Sequence, residues 1–342
     1  MTPATVGVPP RRGLDMADRI PTPWVRCFAQ RPGAARTLLC FPHAGGAASS
    51  YRGWTAHLPA DVEQWVVQYP GREDRIAHPM VDGMDALVDA VIAAVEPALD
   101  RPVVVFGHSM GASVAHEVVL RLAERRPGLV RRLVVSGRPG PADQKPREEF
   151  VHLRDDAGVT AELTTLGGTA AEAFADPQLA AMLLPVIRND FALIERYRPG
   201  GAVLDLEVVA ITGDADPSMA AETVDSWAAA TTGPFTRHVH PGGHFYLYDH
   251  LPAVVEAALA PERGAGVSSD AFSVEGLRAS VAEVLGVPVE EVGADTGLFE
   301  LGLDSMRMMM LSVRWQALGV EAPFADLAEN PTVRAWSRLL SA

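Results

Sequence analysis

Apolar residues fall along this chain in two rhythms, and the switch between them marks out its elements. Residues 37–41, 64–69, 103–106, 131–136 and 205–212 carry short, mostly unbroken apolar runs. Runs of this length, bounded by Gly, Pro or polar residues, read as strands of a buried sheet. Residues 25–28 and 235–240 read as two further strands, and Arg31-Pro32-Gly33 suggests a turn joining the first of them to 37–41. Between the strands the spacing becomes helical. Residues 84–99 set Leu87, Val91, Ala94 and Val95 on one side, and the stretch after residue 109 stops at Pro127-Gly128. Strands alternating with helices predict an α/β fold, a mostly parallel sheet covered on both faces.

Two regions depart from that alternation. Residues 139–200 are helical and mixed in polarity, with Gly167-Gly168 and Pro185 as interruptions. An insertion of this kind between two sheet strands reads as a lid. Residues 260–270 then have linker composition, and 271–342 read as a small all-α bundle. There Val274, Leu277, Val281, Val284 and Leu285 share one helix face, and a helix from Ser305 to Leu318 ends at Gly319. Asn330 is a candidate N-cap, with Pro331 at the first position of a helix carrying Val333, Trp336, Leu339 and Leu340. The domain plan is therefore a loose tail over 1–20, an α/β domain over 21–259, a linker, and the bundle.

Composition narrows the partners. A net charge of -14 argues against nucleic acid, since phosphate binding needs clustered Lys and Arg. Cys27 and Cys40 have no metal-ligand spacing, so neither a disulfide framework nor a metal site is expected. No apolar run approaches the ~18 residues of a membrane span, and residues 1–20 lack a signal-peptide core, so a cytoplasmic protein is expected.

The chemistry gathers at the ends of the strands. Residues 107–111, GHSMG, join the 103–106 strand to a helix, the context of a nucleophile elbow, which makes Ser109 the candidate nucleophile. The small-residue loop FPHAGG follows the 37–41 strand. The backbone N–H groups of Ala44 in that loop and of Met110 after the nucleophile are candidates for an oxyanion hole. A serine needs a base, and the base an orienting carboxylate. GDADP after the 205–212 strand offers Asp216 as the acid, with Asp214 as its rival; PGGHF after the last strand offers His244 as the base. His43 and His108 read as residues of shape or polarity.

FPHAGG, GHSMG, GDADP and PGGHFYL in this order, with LPVIRNDFALIERYR in the insertion, resemble the type II thioesterases of polyketide and nonribosomal-peptide assembly lines. The resemblance implies an α/β-hydrolase fold and a serine hydrolase that releases acyl or aminoacyl groups from carrier-bound thioesters. It carries Ser109, Asp216 and His244 into the catalytic set, and Ala44 and Met110 into the oxyanion hole. Phe174, Leu179, Met182, Leu183 and Phe191 would then either line an acyl channel or only pack the lid.

In the bundle, LGLDS over 301–305 is similar to the phosphopantetheine attachment motif, and the wider run most resembles aryl carrier domains of siderophore synthesis, with Met306 in place of the commoner leucine. This implies covalent 4'-phosphopantetheine on Ser305. The implied partners are an acyl thioester substrate, a phosphopantetheinyl transferase and other assembly-line enzymes and carriers. The helix after Ser305 bears two apolar stripes. By the resemblance, Met308, Leu311 and Trp315 should be core, and Met306, Met309, Met310 and Val313 a docking face; the residues alone also allow both stripes to be buried. Two other functions fit the same motifs: acyl transfer to an amine or alcohol, and a carrier scaffold whose hydrolase half is not catalytic.

Overall fold

The computed structural model describes residues 22–145, 149–167, 174, 176–261, 272–317 and 323–340. The expected tail, residues 262–270 of the expected linker, and the helix end at Leu318-Gly319 lie outside the described residues. Among the described residues, seven strands form one sheet in the order β1-β3-β2-β4-β5-β6-β7. They are β1 (Val25–Arg26), β2 (Arg36–Phe41), β3 (Val62–Val67), β4 (Val103–His108), β5 (Val130–Ser136), β6 (Glu207–Gly213) and β7 (Phe235–His240). All neighbours are parallel except β1, which pairs antiparallel with β3. This is the expected α/β-hydrolase arrangement.

Alternation along the strands distributes the core. Leu39, Val103 and Val105 join α1 (Met84–Val95) and α2 (Met110–Arg125) on one face. Leu38, Val104 and Phe106 join α5 (Leu251–Leu259) on the other. Both faces are dry, which is why these strands read as continuous apolar runs. The expected helix over 84–99 ends early, because Pro97 turns its last residues into a 3-10 segment, Glu96–Ala98.

The first strand does not pair with the strand that follows it. Arg31, in the connection, donates to the carbonyls of Thr55, Leu58 and Val62, and its N–H bonds Glu63 at 2.7 Å. These contacts anchor the connection at the entry to β3, and β1 lies beside β3 at the sheet edge.

The insertion between β5 and β6 contains α3 (Asp156–Leu166) and α4 (Pro177–Arg196). Gly167, at φ 82°, closes α3 as expected. Pro185 does not interrupt α4. It faces outward, and Ala181, whose carbonyl loses its N–H partner there, is exposed, so water can replace that bond. The insertion has its own small core of Val151, Val159, Leu184, Ile187 and Phe191.

Across the sheet, Arg132 (1% exposed) bonds Glu207 Oε2 through Nε at 2.8 Å. Its remaining donors satisfy the carbonyls of Ala258, Ala260 and Pro261 at the end of α5. Removing the cation leaves a buried carboxylate without its charge partner. Arg132→Met should therefore lower unfolding stability by about 3–5 kcal/mol, and Arg132→Met with Glu207→Leu should recover part of the loss. Urea unfolding of the three proteins checks this.

Residues 272–340 build a separate core around Leu277, Val281, Met308, Leu311, Trp315, Val333 and Trp336. They lie on α6 (Val274–Leu285), α7 (Ser305–Ala317) and α9 (Val333–Leu340), with α8 (Phe324–Glu329) preceding α9. Trp336 Nε1 donates to Leu327 O at 2.9 Å. The cap of α9 is Thr332, whose Oγ1 accepts the Ala335 N–H, and not Asn330, which ends α8. Pro331 lies outside α9 because its carbonyl accepts the Leu298 N–H across the bundle. Among the described residues, no helix is long and apolar enough to cross a membrane.

Candidate active site

Ser109 sits between β4 and α2 at φ 55°, ψ -119°, a conformation a non-glycine residue holds only when its surroundings impose it. The surroundings here are backbone. A Cβ on Gly111 would fall 2.1 Å from Phe41 O, and one on Gly107 2.2 Å from Gly111 O. The Ser109 N–H is tied to Ser136 O at 2.7 Å. Strand end, turn and helix start are thus packed too closely for a side chain at either position 107 or position 111.

Asp216 and His244 come from the loops after β6 and β7. His244 Nδ1 lies 2.7 Å from Asp216 Oδ2, and both residues are buried. The second oxygen, Oδ1, accepts the Ser218 N–H at 2.8 Å and the Ser218 hydroxyl at 2.6 Å. Burial works against ionisation of Asp216, but His244 and the two Ser218 bonds outweigh it and hold the carboxyl below its ordinary range. Asp214 is exposed and accepts only the Gly242 N–H, at 2.9 Å, among the described hydrogen bonds. The geometry brings Asp216, and not its rival, to the histidine.

Ser109, His244, Ala44 and Met110 all line one cavity of about 410 Å³. Among the described hydrogen bonds none engages the N–H of Ala44, whereas the next two amides are occupied, Gly45 by Asp190 and Gly46 by His43 O. Met110 opens α2, so its N–H has no partner within the helix. Two residues with unclaimed amides among the described hydrogen bonds therefore border the cavity that holds the serine.

His43 and His108 flank His244. The His108 and His244 rings are 4.9 Å apart, and His43 packs edge-on to Phe245 at 4.9 Å. Burial, then the neighbouring His244 and Arg72, pushes His43 down to about 3. Burial likewise drives His108 far below its usual range, and its Nδ1 meets Ser136 Oγ at 2.9 Å. At both positions burial favours the neutral imidazole.

Of the five insertion residues weighed as a channel lining, Phe191 alone borders this cavity. Phe174 and Leu183 pack within the insertion, while Leu179 and Met182 are 40% and 46% exposed. The remaining apolar wall is built by Leu163, Leu166, Ile194, Met219 and Phe245, and Arg138, Lys145 and Arg198 add cations. Ser218 was missed in the sequence, although Asp-Pro-Ser is a turn in which an aspartate bonds the amide two residues on.

In the helical bundle, Ser305 is the exposed first residue of α7, after Asp304, whose carboxylate caps the Arg307 N–H at 2.8 Å. Met308, Leu311 and Trp315 are buried, and Met306, Met309 and Met310 are 76%, 52% and 59% exposed. The side chain of Val313 lies outside the described residues. A phosphodiester on the Ser305 hydroxyl would be solvent-accessible and at the positive end of the helix dipole, so the residues present fit that group.

A thioesterase-domain family model matches residues 36–260, and a phosphopantetheine-attachment-site model matches residues 275–340. The chain is 41% identical over 253 residues to a probable cadicidin biosynthesis thioesterase of Streptomyces griseus, covering 73% of this chain and 69% of that protein. It is 41% identical over 230 residues to thioesterase PikA5 of Streptomyces venezuelae, covering 66% and 80%. Among solved structures it is similar to the type II thioesterase BorB from the borrelidin biosynthetic cluster. That match has a TM-score of 0.63 and 38% identity, and covers 69% of this chain and 97% of the other.

Proposed function

Because the chain belongs to the thioesterase family and carries a phosphopantetheine-attachment domain, we propose that Ser109 hydrolyses acyl or aminoacyl thioesters presented on carrier domains of polyketide or nonribosomal-peptide assembly. The observation that carries this is the shared cavity: Ser109, His244 and the unclaimed amides of Ala44 and Met110 border one space. His244, oriented by Asp216, accepts the Ser109 proton as Oγ attacks the thioester carbonyl. The N–H groups of Ala44 and Met110 stabilise the oxyanion, and the thiolate leaves with the proton from His244. His244 then activates water against the acyl-serine, and the acid departs. The α3–α4 insertion acts as a lid, since Leu163, Leu166, Phe191 and Ile194 of its two helices form part of the cavity wall.

Ser305 is the attachment residue for the arm, installed by a phosphopantetheinyl transferase; when bound, that group supplies the thiol that carries the acyl cargo. The substrate is borne on this arm or on those of partner carriers. The exposed Met306, Met309 and Met310 form the face that meets other assembly-line enzymes. The test is product analysis with an acetyl thioester, alone and with added amine or alcohol. Acetic acid as the product under all three conditions supports hydrolysis. An amide or ester as the main product would replace it with acyl transfer, and no turnover at all would leave only the scaffold.

A further inference from the structure

The loop that carries the Ala44 N–H is held by side chains from elsewhere in the fold. Tyr51 OH donates to Phe41 O at 3.1 Å, Tyr69 OH to Pro42 O at 3.4 Å, and Arg72 Nη1 to Gly46 O at 2.8 Å. The remaining hold comes from the insertion helix α4, where Asp190 Oδ2 accepts the Gly45 N–H at 2.7 Å. The same carboxylate meets Arg72 through both oxygens at 2.9 Å, and Asp190 and Arg72 are 2% and 7% exposed. Gly45 has φ 74°, and a Cβ there would lie 2.8 Å from Ile187 Cγ1, about one turn before Asp190 on α4.

Two peptide planes meet at the Ala44 Cα. One carries the Ala44 N–H; the other carries the Gly45 N–H that Asp190 holds. Fixing the second plane limits how far the first can rotate, and among the described hydrogen bonds the Ala44 N–H has none of its own to steady it before substrate arrives. Oxyanion stabilisation depends on donors already in place when charge develops. The charge on Asp190 is matched by Arg72, so the anchor leaves no unpaired buried ion.

We propose that Asp190 is a positioning residue for the oxyanion hole: through the Gly45 N–H and its pair with Arg72, it sets the Ala44 N–H for the transition state and couples the insertion helix to that donor. The inference rests on Ser109 as nucleophile and Ala44 as donor.

The test separates this from a purely structural weld by using an alkyl boronic acid. Its trigonal boron accepts the Ser109 oxygen, the hydroxyl proton passes to His244, and the resulting tetrahedral anion mimics the intermediate. Two variants are compared with wild type, Asp190→Asn and the charge-free pair Asp190→Leu with Arg72→Met, which replaces the buried ions by apolar groups of similar size. In the pair, kcat should fall by about 10² to 10³, the effect of losing one oxyanion donor, with KM within about threefold. Boronate affinity should fall by the same factor as kcat. Asp190→Asn keeps an acceptor for the Gly45 N–H and should lie between the pair and wild type in both. Should the pair fail to fold, Asp190→Asn alone decides, by parallel losses in kcat and boronate affinity. Wild-type kcat and boronate affinity in the folded variant, or a loss confined to KM, overturns the proposal. Boronate binding that survives Ser109→Ala points instead to an error in the underlying assignment of the nucleophile, and takes this inference with it.

Discussion

Ser109→Ala and His244→Ala should each lower thioester turnover by a similar factor, on the order of 10⁴ to 10⁶ by analogy with serine protease triads. The similarity follows from the two acting as one unit: without the base the hydroxyl is a poor nucleophile, and without the hydroxyl the base has nothing to deprotonate. Asp216→Asn should cost less than either, because the acid orients His244 without reacting. Its cost is still large, since Asp216 is buried and takes the His244 ring at 2.7 Å, and an amide there favours the wrong tautomer. Asp214→Asn should change turnover by less than about threefold, since it is exposed and its described side-chain bond is to one turn amide and not to His244. Steady-state release of thiol from an acyl thioester measures all four. A larger loss for Asp214→Asn than for Asp216→Asn would reverse the assignment of the acid.

Ser305→Ala should abolish loading of the carrier domain altogether. Incubation with coenzyme A and a broad-specificity phosphopantetheinyl transferase should add one arm to the wild-type chain and none to the variant, read by intact-protein mass spectrometry. The substitution leaves the bundle standing, because Ser305 is exposed and the core side chains of α7 are Met308, Leu311 and Trp315. Thioesterase turnover on a soluble substrate should be unchanged in the same variant, since the Ser109 site lies in the other domain. An unmodified wild-type chain would remove Ser305 from its role, and an arm on the variant would move the role to another residue.

Much of the site was legible because its parts are local. GHSMG names a serine on a turn so tight that only glycine fits two residues to either side of it, and the strand before and helix after are readable from spacing alone. The loop after the last strand singled out His244 among ten histidines, and the loop after the 205–212 strand narrowed the acid to Asp216 or Asp214. The two stripes on α7 were also local, set by the helical period, but which one is buried depends on the neighbours each meets.

What stayed hidden depends on partners distant in the chain. The sequence by itself determined the alternating α/β elements, the serine elbow, the order of the site residues, and the switch to a helical bundle after residue 260, because each is written in patterns a few residues long. The tertiary structure decided that β1 lies beside β3, since Arg31 spends its donors on the carbonyls of residues 55–62. It decided that Phe191, and not Leu179 or Met182, reaches the cavity, since that depends on how α4 is rotated against the sheet. It alone brought Asp190 to Gly45 and Arg72, across 145 and 118 residues of chain. A buried hydrogen bond between such distant residues leaves no periodicity in the sequence, because its geometry exists only once the two segments are packed together.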